Sequence, residues 1–341
     1  MTPQRFDQIT ARYASQRIAV VGDFCLDRYL EIDAARQETS LETGLPVHNV
    51  VNVRNQPGGA GTIVNNLAAL GVGEIHPVGF CGDDGEGIEL TRALRSRVGV
   101  MMSDFLITPL RRTFTYAKPL VLEPGREPRE LSRLDSKNWT PTPPEVEAQL
   151  IASVGRLMTE VHGMIVLDQV DLAGTGVVTR RLLDALAPVL PSKREMVLLA
   201  DSRRGLCEFP PMVFKMNTRE LAALTGEAAP VDWEELRRTA SELAWRNGRH
   251  VFITLAECGL LGASPDGHVE NVPALPVRGP IDIVGAGDAV TANLTAALAA
   301  GADLREALTL ANAAASIVIH QLGTTGTATV EQLRALVAPP Q

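Results

Sequence analysis

Metal ligands, disulfide partners, membrane spans and surplus positive charge are all scarce in this sequence. Its 341 residues include four cysteines (Cys25, Cys81, Cys207 and Cys258), widely spaced and without a Cys-x-x-Cys pair. Such spacing argues against a disulfide framework or a structural zinc site and points to a reducing cytoplasm. The six histidines are equally dispersed, none at the spacing of a metal site. No apolar run approaches the roughly 20 residues a membrane helix requires, and residues 1–15 lack the apolar centre of a secretory signal. Lysine and arginine number 32 against 40 acidic residues, for a net charge of −8. Nucleic-acid backbones demand a basic footprint, so neither nucleic acid nor membrane is an expected partner. A small anionic substrate needs only a few local cations, and one basic run exists: Arg111, Arg112, Lys118, Arg126, Arg129 and Arg133. Aromatic residues make up 4% and hydrophobic residues 45%. An Ala/Leu/Val-rich chain of this kind suits helices on a parallel sheet better than a β-sandwich.

What is present is a repeating unit. Short apolar runs at 18–21, 75–79, 164–167, 196–200, 213–216 and 251–254 read as buried strands. Helical stretches are expected at 62–70, from Asp83 or Asp84 to about 98, and at 145–161, 176–187, 218–224, 233–246, 288–300 and 304–320. Strand, turn and helix in succession imply an α/β fold with a mostly parallel sheet covered on both faces. Two stretches, about 24–56 and 111–135, break that rhythm and carry strands that alternate apolar with polar residues. They are expected to form a small β-sheet, a lid inserted in a single domain over residues 1–341.

The strongest chemical signal is Asp282-Ile283-Val284-Gly285-Ala286-Gly287-Asp288, ahead of an Ala/Leu-rich helix. Glycines before a helix leave backbone N–H groups bare, and the helix dipole adds positive potential, so phosphate or developing phosphoryl charge binds there. Asp288, in the first turn, can accept a proton from an attacking hydroxyl. The run also suits a tight turn with a helix-stabilising acid. It does not suit a dinucleotide-binding G-x-G-x-x-G, because Val290 holds the third glycine position. Three other places stand out. Pro57-Gly58-Gly59-Ala60-Gly61, with Asn65 and Asn66 behind it, lets a ligand approach the backbone or simply makes a tight turn. Gly22–Asp27 ends a strand with Asp23 and Asp27, acceptors for vicinal hydroxyls or solvated turn acids. Asn217 and Glu220 read as a capping box or as groups that organise Mg²⁺ around ATP phosphates.

Taken in chain order, these motifs resemble the ribokinase/PfkB family of carbohydrate kinases over nearly the full length, the Gly-Ala-Gly-Asp run with Asp282 being the family's most specific signature. The run Gly-Asp-Phe-Cys-Leu-Asp-Arg-Tyr at 22–29, with 310–315 and Leu322-Gly323-Thr324, looks most like the heptose 7-phosphate kinases of bacterial surface-sugar biosynthesis. The resemblance implies a ribokinase-like three-layer α/β/α sandwich with a small β-lid, and an ATP- and Mg²⁺-dependent kinase for a sugar or sugar phosphate. It implies that Asp27, Gly58, Gly59 and Asn66 bind the sugar, and that Asn217 and Glu220 hold Mg²⁺–phosphate, Glu220 through water. It further implies that Thr254, Gly259 and Asn312 line the nucleotide site, and that Gly285, Ala286 and Gly287 form an anion hole beside Asp288 as base. For a phosphorylated acceptor, Arg111 and Arg112 are the expected clamp. Exposed lid edges lead to the expectation of a homodimer.

The chain departs from the family pattern at Thr62, Val284 and Leu255, where the family usually has Asn, Thr and a basic residue. The acidic segment 168–171 does not match the heptose-kinase pattern. These departures bear on the substrate more than on catalysis. They keep two other expectations open: a kinase for a fructose derivative or nucleoside, and a catalytically silent sugar- or nucleotide-binding relative. The nucleotidyltransferase domain often fused to heptose kinases is not expected in 341 residues.

Overall fold

The computed structural model describes residues 1–193, 195–226 and 232–339. Its centre is built from strands buried on both faces. In β1 (Arg17–Gly22), Ile18 and Val20 enter one half of the core while Ala19 and Val21 enter the other. β11 (Gly163–Asp168) divides the same way, with Ile165 and Leu167 opposed to Met164 and Val166. Strands of this kind need helices on both sides. Among the described residues the central sheet has nine strands, in the order β16 (Val269–Val272), β15 (Leu260–Ala263), β14 (Val251–Thr254), β13 (Val213–Asn217), β12 (Val197–Ser202), β11, β1, β6 (Glu74–Gly82) and β7 (Phe105–Thr108). β14, β15 and β16 pair antiparallel, and every other neighbour is parallel. One face carries α1 (Pro3–Thr10), α2 (Ala60–Ala69), α3 (Gly85–Arg95), α8 (Ala286–Ala299), α9 (Leu304–Val318) and α10 (Val330–Val337). The other carries α4 (Pro144–Leu157), α5 (Arg180–Leu186), α6 (Thr218–Thr225) and α7 (Trp233–Asn247). The result is a three-layer α/β/α sandwich.

A second sheet joins β10 (Leu134–Ser136), β8 (Phe114–Leu122), β2 (Phe24–Asp33) and β5 (Val50–Gly59) in that order, with β9 (Arg129–Glu130) paired to β8. β3 (Glu38–Thr39) and β4 (Pro46–Val47) form a separate two-strand ladder. Only Asp23 separates β1 from β2, so the small sheet grows out of the carboxyl edge of the central one.

Several local expectations change. Pro57, Gly58 and Gly59 complete β5 instead of forming a loop, and Ala60 already opens α2. α5 is shorter than 176–187, because Val177 donates its backbone N–H to Asp23 and so belongs to the preceding loop. α8 starts at Ala286, which makes Asp288 its third residue. β7 and α10 were not anticipated. Among the described residues no helix is long and apolar enough to cross a membrane.

Candidate active site

The parallel strands end at one edge of the sheet, and the amino end of α8 meets them there. Gly285 caps α8 with φ +83°, the left-handed region that a side chain would strain, and no side chain bonds to this helix end. At Gly287 an added side chain would come within 3.2 Å of Lys215 Nζ, so an ammonium lies directly against the turn. Lys215 is buried on β13 and pairs with Asp201 at 2.7 Å. Asp201, on β12, also accepts from the Thr291 hydroxyl of α8 at 2.8 Å. This triangle fixes the helix end to two strand ends. Asp288, half-buried at the cleft, has its pKa pushed up to about 7 by burial, then by the charge of Asp201, with Lys215 opposing. Asp27 adds a smaller push in the same direction.

Asp27 lies on β2, paired in the sheet with Gln56 of the neighbouring β5. A side chain at 58 would come within 2.6 Å of Asp27 Oδ2 and 2.7 Å of Cys25 Sγ, so only glycine lets the carboxylate lie there. Lys118 Nζ stands 3.3 Å from Asp27 Oδ1 and over the Tyr29 ring. Burial nevertheless holds the Asp27 carboxyl above its ordinary range, Lys118 offsetting part of the shift. Gly59 caps α2, its backbone packed against the carbonyl of Asp23. Asp23 itself is spent on the backbone, accepting from Val177 at 2.6 Å and Gln169 at 2.8 Å. Sheet register places Gln56, Asp27, Tyr116 and Asp135 in one line, hence on one face. Gln56 donates to the Thr324 hydroxyl at 2.7 Å and accepts from that of Thr325 at 3.1 Å. Thr325 in turn packs beside Gly285.

On the other side of the α8 turn is a cavity of about 760 Å³, lined by Asn217, Thr254, Gly259, Asn312, Ala286 and Gly287 and walled by Leu255, Ile281, Ile283 and Val290. Asn217 and Glu220 form a reciprocal capping box on α6: the Asn217 side chain accepts from the Glu220 N–H at 2.9 Å, and Glu220 Oε2 from the Asn217 N–H at 2.7 Å. Capping therefore holds Asn217 at the cavity wall. Burial raises the Glu220 pKa, Asp201 adding to it and Lys215 opposing it. Asn312 donates to the Pro273 carbonyl at 2.9 Å, and Thr254 to that of Met216 at 3.4 Å. Among the described residues no three His, Cys, Asp or Glu side chains converge as a metal cage.

Two expected sugar contacts are corrected. Asn66 is fully buried and donates to the carbonyls of Thr62 and Gly326, so it braces α2 from behind the cleft. Arg111 is 6% exposed and spends its guanidinium on the Thr140 and Thr175 carbonyls at 2.8 and 2.7 Å. It ties loops together and is not a free clamp. Arg112 is exposed, with its backbone bonded to Asn138 and its charge beside Asp84, outside the Asp27 line. The sequence reading missed the Lys215–Asp201 pair. A lone lysine inside the apolar strand at 213–216 was the available signal.

The pfkB family carbohydrate kinase model matches residues 15–331. Among curated relatives, the bifunctional protein HldE of Azorhizobium caulinodans is 30% identical over 331 residues, 95% of this chain. HldE of Rhodospirillum rubrum is also 30% identical, over 96% of this chain. The chain spans 66% and 64% of those two proteins' lengths. Its fold matches Arabidopsis thaliana ribokinase in complex with ribose and ATP, with a TM-score of 0.68 at 17% identity over 94% of this chain and 98% of that one. Escherichia coli phosphofructokinase-2 in complex with substrates and products matches with a TM-score of 0.70 at 18% identity, over 94% and 98%. This chain belongs to the pfkB family of carbohydrate kinases and is a sugar kinase, transferring a phosphoryl group to an alcohol.

Proposed function

We propose that the enzyme transfers the γ-phosphoryl group of ATP to a hydroxyl of a sugar or sugar phosphate, with heptose 7-phosphate as the first acceptor to test. The observation that carries this reading is the amino end of α8, free of any side-chain cap, with Asp288 in its first turn and Lys215 Nζ against Gly287. ATP suits the cavity beside α8 in size and in its apolar walls. Asp27 and the backbone at Gly58 and Gly59 orient the acceptor. Asp288 takes its proton, and the amides at 285–287 meet the charge on the transferring group. Mg²⁺ suits the half-buried Glu220 carboxylate beside the phosphate end, reached through water, and would supply charge neutralisation there. Closure of the small sheet, the lid, would exclude water from the reaction. The likeness at 22–29 and 310–315 favours a heptose phosphate. ADP release from ATP–Mg²⁺ across a panel of sugars and sugar phosphates tests the proposal, and ATP binding without stimulation by any heptose or other sugar phosphate would overturn the proposed acceptor.

Gly58→Ala is expected to raise the acceptor KM by about 10-fold or more and leave the ATP KM unchanged. The new methyl would displace the Asp27 carboxylate, whose charge-assisted hydrogen bonds are worth roughly 1.5–3 kcal/mol. An unchanged acceptor KM would remove Asp27 from substrate binding.

The lid also supports pairing of two copies. β5 is an edge strand and exposes Val50, Val51 and Val53. Sedimentation at micromolar concentration should show a dimer, and Val51→Lys should shift it toward monomer. A clean monomer in the unmodified protein would remove the lid interface.

A further inference from the structure

One wall of the cavity beside α8 is the loop 273–285, which joins β16 to the α8 turn. Both ends of the loop are tied to the last two turns of α9. The Pro273 carbonyl accepts from Asn312 at 2.9 Å, and the Asp282 N–H donates to the Ile319 carbonyl at 2.8 Å. Between those ties, among the described residues, the backbone of 274–281 makes a single hydrogen bond. It runs from the Arg278 N–H to His320 Nε2, at 2.8 Å. This stretch nevertheless supplies Ala274, Leu275, Val277 and Ile281 to the cavity wall. Val277 and Ile281 stay exposed, so apolar burial does little to hold it down. The middle of the wall therefore depends on one imidazole.

The two partners of that imidazole fix its tautomer. His320 Nδ1 lies 2.6 Å from the Ser316 carbonyl, which can only accept, so Nδ1 carries the proton. The Arg278 N–H can only donate, so Nε2 must present its lone pair. Only the neutral ring satisfies both. A proton on Nε2 removes the acceptor and sets two N–H groups against each other, and imidazole is the side chain that changes charge between about pH 5 and 8. The charged groups on the loop are Arg278, which is exposed, and Asp282, which accepts from the Val284 N–H at 3.0 Å. Residues 309–327 add none besides His320. α10, packed on α9, brings Glu331 and Arg334, the latter paired with Asp7. Ser316 and Ile319 line the cavity, whereas His320 reaches it only through the loop.

Resting on the reading of this cavity as the ATP site, we infer that His320 is a positioning residue for the nucleotide: its neutral ring clips the loop to the end of α9, and protonation releases it. A nucleotide that needs the wall in place binds with an affinity reduced by the fraction of chains still clipped. The clipped form holds one proton fewer than the released form, so nucleotide binding strengthens as pH rises and weakens as it falls.

Two measurements on the full chain test this, each made near the acid and alkaline ends of the imidazole range, about pH 5.5 and about pH 8. Amide exchange across 274–281, corrected for its intrinsic pH dependence, reads the clip without nucleotide. Calorimetric titration with ATP–Mg²⁺ reads the affinity. In the unmodified enzyme the Arg278 amide should be protected at the alkaline end and lose that protection at the acid end. His320→Gln can accept from Arg278 and donate to Ser316 without titrating, so it should keep protection at both. Relative to that variant, which cancels the ionisation of ATP itself, the unmodified enzyme should lose about 5- to 10-fold in ATP affinity on acidification, the worth of one hydrogen bond and its stranded donor. His320→Ala should lose protection and affinity at both ends and leave the acceptor KM unchanged. Protection that is equal at both ends, or that survives in His320→Ala, overturns the inference. So does an ATP affinity that His320→Ala leaves unaltered. If the unmodified enzyme binds no ATP, the reading of the cavity fails, and acid-sensitive protection that His320→Ala abolishes still sustains the clip.

Discussion

Asp288→Asn is expected to lower sugar-stimulated ADP release about 10³-fold or more while ATP binding persists, because a general base acting beside an anion hole carries effects of that order. Asparagine matches the shape of the carboxylate but cannot accept the hydroxyl proton. The variant should also fold at least as well as the unmodified chain. A carboxyl whose pKa is raised to about 7 is disfavoured in its charged form by the fold, so it withdraws stability as pH rises from the ordinary carboxylate range toward 7 and above. Removing the charge also ends the repulsion from Asp201 and Asp27. At pH 8 the denaturation midpoint of Asp288→Asn should accordingly equal or exceed that of the unmodified enzyme. Lost activity with gained stability is the signature of a group kept for chemistry. Turnover within about tenfold of the unmodified rate would remove Asp288 as the base, since general-base contributions rarely fall so low.

Legibility in the sequence follows the range of the interactions. The α8 turn is local: its glycines, Asp288 and the helix that follows are contiguous, so both the bare amides and the nearby carboxylate could be read directly. The buried parallel strands were equally plain as apolar runs. α10 carried a readable local signal, the Thr329–Gln332 capping box, and was overlooked. β7 has four residues at a sheet edge and little pattern to read. Errors concentrate where partners are distant. Arg111 looks like a free cation until the Thr140 and Thr175 carbonyls, 29 and 64 positions away, are brought to it. Asn66 looks like a ligand beside a glycine-rich turn until the loop at Gly326 closes over it. The Asp27 line has the same origin: Gln56, Tyr116 and Asp135 become neighbours only through the register of three strand pairings.

Lys215→Met should combine a large loss of stability with a shifted pH profile. Removing one member of a buried ion pair leaves the other uncompensated, at about 3–5 kcal/mol. Among the described residues, the Asp201 carboxylate would retain only the Thr291 hydroxyl. Activity that depends on ionised Asp288 requires kcat/KM in the unmodified enzyme to fall tenfold per pH unit below about 7. Lys215 favours the charged form of Asp288, so its removal raises that pKa and moves the acid limb to higher pH. The ammonium also lies against the Gly287 turn, where phosphoryl charge would collect. Its loss should therefore cost about 10²-fold in kcat even on the alkaline plateau, the order seen when one anion-hole donor is removed. Asp201→Asn with Lys215→Met separates these effects. Deleting both charges ends the unpaired burial and should recover most of the stability, and loss of the Asp201 repulsion returns the limb toward lower pH. The plateau deficit should persist, because the ammonium is still absent. If the double variant regained full kcat, Lys215 would serve the fold alone, and the amides of the α8 turn would carry the developing charge unaided.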